Sequence, residues 1–211
     1  MSTAVFAFGR FNPPTIGHEK LINAVIATGQ REGGDTFIYG SHSQDSRKNP
    51  LSHSEKMGYL QKMFPRIKKS IKTTAKERNV LQIADTLNKK YDKLILVVGS
   101  DRVDDFTSLL NSYNGIKSKH GFYDYKEIKV YSAGERDPDA DGASGMSASK
   151  MRTAATKGDF ESFISGASSE LTIKDKRKLM NDVRKGLKLD SIREAMKRRR
   201  GLDKPITIKP G

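Results

Sequence analysis

The sequence predicts an α/β fold built on a doubly wound parallel sheet of about five strands, followed by a basic helical tail. Three observations lead there. Lys93–Ser100 carries five consecutive large apolar residues, Leu94 to Val98, before Gly99, the pattern of a parallel strand covered on both faces. Short strand-like runs alternate along the chain with segments whose apolar residues recur at helical spacing. Turn-forming segments follow the strand ends, where ligands of such sheets bind.

The first strand is residues 4–8, closed by Gly9, and the prolines at 13 and 14 bar a helix interior just after it. Leu21, Ile22, Val25 and Ile26 then mark a helix from His18, with Gly29 as its expected stop. Residues 35–39 read as the second strand, and a polar loop runs through Asn49-Pro50. Ser52 or Ser54 caps a helix that turns Met57, Leu60 and Met63 to one side and ends at Pro65. Residues 67–74 read as a weak third strand, and Val80, Ile83, Ala84 and Leu87 mark another helix. After the apolar run at 94–98 come a helix over 104–113 and a strand over 127–131. In a parallel sheet this order brings residues 9–18, 40–49 and 99–102 to one rim.

Composition limits the classes of function. The chain has 211 residues and no Cys, which excludes disulfides, thiolate metal sites and a Cys nucleophile. No apolar stretch approaches the roughly 18 residues that cross a bilayer. Residues 1–8 show no basic leader, so a soluble, cytoplasmic protein without membrane association is expected. The net charge of +14 is unevenly spread: residues 171–211 carry 14 Lys/Arg against 5 Asp/Glu, leaving 25 against 20 for residues 1–170. That asymmetry divides the chain into a domain at 1–170 and a tail at 171–211.

Residues 9–18, Gly-Arg-Phe-Asn-Pro-Pro-Thr-Ile-Gly-His, are the first candidate site. Gly9 lets backbone approach a ligand closely, while Thr15 and His18 lie at a helix start, where N–H groups and the dipole attract phosphate. As a purely structural device, the same stretch is a tight turn with Thr15 as N-cap. Ser147 and Ser149 are phosphate-binding candidates at another helix start, or ordinary caps; Asp101 is a site residue or the cap of the helix after Gly99. His42, His53 and His120 lack metal-ligand spacing and read as surface residues, so no metal site of the protein is expected. Neither GxGxxG nor GxxxxGK[ST] occurs.

Gly9–His18 resembles the first signature of the nucleotidyltransferase superfamily, G-x-F-[DN]-P-x-[HT]-x-G-H, with Thr15 in place of the first His of HxGH. Phosphopantetheine adenylyltransferases also use Thr there. Residues 43–56 are similar to a segment of archaeal nicotinamide-mononucleotide adenylyltransferases. Gly99-Ser-Asp101 resembles the G-[AGS]-D motif of enzymes acting on nicotinate or nicotinamide mononucleotide. Residues 145–152 resemble the closing I-S-[SA]-T-x-[IV]-R motif, and residues 157–164 the helical extension after it. A weaker resemblance joins the chain to nucleotidyltransferase-like proteins of large tailed bacteriophages, which implies host cytoplasm or virion as location.

The resemblance implies a Rossmann-like fold and an enzyme that joins a nucleoside triphosphate to a phosphate-bearing acceptor and releases pyrophosphate, chiefly by positioning groups and neutralising charge. His18 then contacts the α-phosphate, Thr15 assists on the β side, Ser147 and Ser149 hold the β/γ-phosphates, and Arg152 pairs with the departing pyrophosphate. Gly9, Arg10, Phe11 and Gly17 line the nucleotide; Lys48 and Asp101 face the acceptor, with Lys48 and Arg10 as further phosphate contacts. Mg²⁺ arrives with the nucleotide. Adenylyl transfer to nicotinamide mononucleotide is the leading expectation. Cytidylyl transfer to a sugar or polyol phosphate is an alternative, and so is an assembly role in a virion with the basic tail as anchor.

Residues 137–142 imitate the opening of an EF-hand, but its twelfth position is Ala148 rather than Glu, so a mobile acidic loop hinged at Gly134, Gly142 and Gly145 is expected instead. In the tail, residues 172–185 have helical character, and Ile173, Leu179, Met180, Val183 and Leu187 form an apolar stripe. A second helix is expected over 191–200, with Lys197 and Arg198 to Arg200 as a charge cluster. Its partner is nucleic acid, through phosphates, or an acidic protein surface, unless the tail is a solvated arm. Residues 192–195 resemble a phage prohead-protease cleavage site. Self-association into a homo-oligomer is a further expectation.

Overall fold

The computed structural model describes residues 1–134, 147–190 and 194. Its sheet is wholly parallel, in the order β2-β1-β3-β4, with β1 at Thr3–Gly9, β2 at Asp35–Gly40, β3 at Lys93–Val98 and β4 at Glu127–Ser132. The predicted parallel, Rossmann-like α/β architecture is therefore present, with four strands among the described residues rather than about five. The strand expected at 67–74 is instead a 3-10 turn, Pro65–Ser70, after which Ile71 forms a single parallel bridge to Ile38. Pro65 stands in the first turn of this 3-10 helix, where its missing N–H is tolerated, and beyond it the edge of β2 gains one bridge, at Ile71, and no strand.

Strand alternation builds two cores. Ala4, Phe6, Leu94, Leu96 and Val98 face helices α3 (Val80–Asn88) and α4 (Val103–Ser112). Val5, Ala7, Ile95 and Val97 face α1 (His18–Glu32) and α2 (His53–Met63). Helices thus cover both sheet faces, which is why β3 is apolar at successive positions. Gly29 does not end α1. The helix runs to Glu32 and closes on Gly33, whose φ of 61° is left-handed. A Cβ at Gly29 would stand 2.3 Å from Thr36 Cγ2, so this glycine lets α1 lie against β2.

A third cluster lies beyond the sheet. Helices α5 (Ala148–Lys157), α6 (Phe160–Ser165) and α7 (Ile173–Gly186) pack Met151, Ala154, Phe163, Leu179, Met180 and Val183 against Leu51, Tyr59 and Met63. The first helix of the basic segment is therefore packed onto the α/β unit. Leu179, Met180 and Val183 are buried as the apolar stripe suggests, whereas Ile173 is 53% exposed. Gly186 meets the β2–α2 loop so closely that a Cβ would lie 2.0 Å from the Pro50 carbonyl oxygen. Most of the expected loop at 137–145 and helix at 191–200, with the charge cluster at 197–200, lies outside the described residues.

Candidate active site

The β1–α1 loop is held from three directions. The Asn12 amide donates to Leu51 O and accepts from Leu51 N, each at 2.9 Å, which ties it to the β2–α2 loop. Arg152 Nη1 on α5 donates to Asn12 O at 2.8 Å, and Ile16 N donates to Gly166 O, just after α6, at 3.0 Å. Phe11, 1% exposed and with φ of 46°, turns its ring under the loop. A Cβ at Gly9 would meet that ring at 2.7 Å. The absent side chain at Gly9 thus makes room for the Phe11 ring, which is buried beneath the loop.

His18 opens α1. Its ring stands edge-on to Phe11, with centroids 4.9 Å apart at 70°. The Thr15 N–H donates to His18 Nδ1 at 2.9 Å, and Thr15 Oγ1 lies 3.2 Å from the same nitrogen. An accepting Nδ1 means that the neutral imidazole carries its proton on Nε2. Thr15 is only 2% exposed. The N-cap of α1 is Gly17, with no side-chain cap bond, rather than Thr15. The dipole at this uncapped helix start favours negative charge.

At the opposite wall, Ser147 caps α5 and accepts from Lys150 N at 3.1 Å, while Ser149 is exposed on the first turn. Arg152 is half-buried. Burial lowers its pKa first, the charge of Arg10 lowers it further, and Asp45 opposes both. The charges of Arg10 and Asp45 therefore both bear on the Arg152 guanidinium, with opposite effect. The Asp45 carboxylate is occupied by its own turn: Oδ1 accepts from the Arg47 and Lys48 amides, and Oδ2 from the Asn49 side chain. The Asn49 side chain, then the Lys48 and Arg47 amides, hold the Asp45 carboxyl well below the usual carboxylate range. Lys48 is exposed on the same loop, and Asp101 is exposed on the 3-10 turn after β3. Both stand at the strand-end rim, outside the Asn12–Arg152 contact.

The β2–α2 corner holds residues that the sequence reading missed. Lys56 is 0% exposed, and its ammonium donates to Ser41 Oγ at 3.1 Å. Burial, then the charge of Arg10, lowers its pKa to about 8. Nor are His42 and His53 simple surface residues: their rings stack at 4.1 Å and 6°, and both Nε2 atoms are buried. The available signal was helical phase, since Lys56 precedes Leu60 by four residues and Met63 by seven and so shares their buried face. His120, half-buried, lies apart from this corner and meets Asn79 and Tyr113.

A family model described as cytidylyltransferase-like matches residues 6–154, from the first strand through Arg152. The chain belongs to this family. The cytidylyltransferase-like family is part of the HxGH nucleotidyltransferase superfamily, so the chain is a nucleotidyltransferase with a nucleotide substrate. No curated protein matches the sequence. Among the described residues, no helix is long and apolar enough to cross a membrane, and no group of three or more His, Cys, Asp or Glu gathers where a metal ion could be held.

Proposed function

We propose that this cytidylyltransferase-like chain transfers a nucleoside monophosphate, AMP in the first instance, from its triphosphate to a phosphate-bearing acceptor such as nicotinamide mononucleotide. Attack of an acceptor phosphate oxygen on the α-phosphorus forms the new P–O bond as the bond to pyrophosphate breaks. The observation that carries this reading is the Arg152–Asn12 contact, which joins the last motif to the first across 140 positions of chain. It sets a guanidinium beside the loop that ends in His18.

In this reading His18 Nε2–H donates to an α-phosphate oxygen whose charge grows in the transition state. The Thr15 amide on Nδ1 keeps the proton on the nitrogen that needs it. Arg152, helped by Arg10 and the start of α5 with Ser147 and Ser149, neutralises the departing pyrophosphate. The surrounding side chains are mainly cations and hydroxyls, a donor set suited to a metal–nucleotide complex. Mg²⁺ then arrives on the phosphates and offsets their charge.

Adenylyl transfer is favoured by the likeness of Gly99–Asp101 and residues 43–56 to nicotinamide-mononucleotide adenylyltransferases. Cytidylyl transfer to a sugar or polyol phosphate is the second reading, favoured by the description of the matched family. The test is pyrophosphate release with Mg²⁺, scanning ATP and CTP against nicotinamide mononucleotide, phosphopantetheine and sugar phosphates. One productive pair, abolished in His18→Ala, is the expected result. Silence across the panel, with no heat stabilisation by either nucleotide, contradicts it.

A further inference from the structure

Seven of the residues from 62 to 78 are Lys or Arg, and Glu77 is the one carboxylate among them. This stretch links α2 to α3 beside β2, the edge strand of the sheet. Its backbone is held on two sides. Toward β2, Ile71 bridges Ile38, Lys72 N donates to Ile38 O at 3.0 Å, and Ser70 Oγ lies 2.9 Å from Thr36 Oγ1. Toward α2, the Gln61 side-chain amide donates to Lys68 O at 3.1 Å and to Ile71 O at 3.2 Å. Phe64 and Ile67 pack against the core on that face of the sheet.

The cations on this fixed backbone are left uncompensated. Arg66, Lys68, Lys69, Lys76 and Arg78 are exposed, and no carboxylate of the described residues lies within ion-pair distance of them. Lys72 has none either, since its ammonium sits 4.8 Å over the Phe37 ring. Lys62 is paired, with Asp175 of α7. Elsewhere the fold brackets its lysines: Lys93 lies between Glu32 and Glu127. Like charges concentrated along one pinned segment repel one another, and a polyanion relieves that repulsion. Because the backbone is already ordered, little of the binding energy is lost in fixing it.

The chemistry of the surface selects among polyanions. A protein partner or a bilayer needs apolar anchors, and lysine is depleted at protein interfaces. The exposed large hydrophobic side chains of the described residues are Met1, Ile116, Phe122 and Ile173, none of them in this stretch. Phosphates spaced along a nucleic acid need only cations held beside one another. Phe37, the ring next to these cations, is engaged by Lys72 and by Tyr91 at 5.7 Å, which leaves unpaired bases no platform there. A duplex therefore fits better than a single strand. We propose that this edge is a docking surface for double-stranded nucleic acid, held through its phosphates by Arg66, Lys68, Lys69, Lys76 and Arg78 without readout of the bases. The surface shares no residue with the nucleotide site, and it does not depend on which acceptor the transferase uses.

The test is fluorescence anisotropy of a labelled DNA duplex, about two helical turns long, titrated with the full chain at several salt concentrations. An edge variant combines Arg66→Gln, Lys68→Gln, Lys69→Gln, Lys76→Gln and Arg78→Gln. A control variant neutralises Lys89, Lys90, Lys117, Lys119 and Lys126, exposed lysines outside this edge, so that net charge falls equally. The wild type is expected to bind duplexes of unrelated sequence equally, with log K falling against log salt by about 0.9 per phosphate contact. The edge variant is expected to bind about tenfold or more weakly at about 0.1 M salt, with a slope shallower by about 2, and the control to lose less than about threefold. Equal losses in the two variants overturn the proposal by assigning binding to net charge. An edge variant that binds like wild type overturns it by placing binding elsewhere in the chain, and so does a wild type that binds no duplex at low salt. Tighter binding of polyglutamate, or of phosphatidylserine vesicles, with the same dependence on the five residues overturns it in favour of an acidic protein or a membrane. Should the melting curve of the edge variant depart from wild type, Lys68→Gln with Lys69→Gln is judged by the same criteria, with an expected loss of about threefold or more.

Discussion

The Thr15 amide donates to His18 Nδ1 at 2.9 Å, so the backbone of the signature loop selects the tautomer of the imidazole that opens α1. Removing that imidazole removes a preorganised donor to developing charge. His18→Ala is expected to lower the rate of pyrophosphate release by about 10²–10³ with little change in stability. Thr15→Val keeps the amide and loses only the hydroxyl, so it is expected to cost about tenfold or less. A Thr15→Val loss as large as that of His18→Ala would instead assign the hydroxyl to substrate.

Asn12 joins two loops through both ends of its amide. Asn12→Ala leaves the Leu51 N–H and carbonyl without these partners in a buried setting, at an expected cost of about 1–3 kcal/mol. Because Arg152 is anchored on the Asn12 carbonyl, the variant should also raise KM for the nucleotide. Denaturant unfolding and initial rates measured on one preparation check both effects.

The packing of α7 predicts that the basic segment begins inside the folded unit. Arg184 is buried, and its guanidinium donates to the Ala155 and Thr156 carbonyls at the end of α5 and to Asp190 O. Arg184→Ala is expected to destabilise the fold by about 2–4 kcal/mol, through unpaired carbonyls and lost packing. Gly186→Ala should also lower the melting temperature, since its methyl group meets the Pro50 backbone. Melting curves equal to wild type for both variants contradict this packing.

Two groups at the β2–α2 corner give stability a pH dependence. Lys56 titrates near 8 in the fold, against an ordinary 10.5. Between those values the unfolded chain holds a proton that the folded chain has released, so this group makes stability rise with pH. The penalty is fully present below pH 8. Lys56→Met should remove the rise and lift the melting temperature at neutral pH. His53 titrates near 4 against an ordinary 6.5, because of burial, then His42, then Lys56. Its contribution is lost as pH falls through that interval, and His53→Phe should flatten this part of the acid limb. Melting temperatures of wild type and variants across the pH range measure both slopes.

Much of the fold was legible because its signals are local. The apolar run at 94–98 marks β3, and the cap at Ser52 with Glu55 marks the start of α2. The signature at 9–18 and the serines and arginine of 147–152 were legible as motifs. What stayed hidden depends on tertiary neighbours. Gly29 reads as a helix stop until Thr36 is seen against it. The run Ile67–Thr74 has strand-like composition, yet only Ile71 reaches the edge of β2. A lysine on a helix is read as solvated by default, so Lys56 shows its meaning only when its phase with Leu60 and Met63 is weighed against its charge. The stacking of His42 on His53 joins a strand end to a helix start, which no spacing rule expresses.

The most direct test of the central claim follows the phosphorus atoms. With Mg²⁺ and the productive acceptor, nucleoside triphosphate labelled at the α position should pass its label into the acceptor product. Triphosphate labelled at the γ position should yield labelled pyrophosphate, and both transfers should fall together in His18→Ala. Appearance of the γ label in the acceptor, or retention of the α label in free nucleotide, would contradict nucleotidyl transfer at this site.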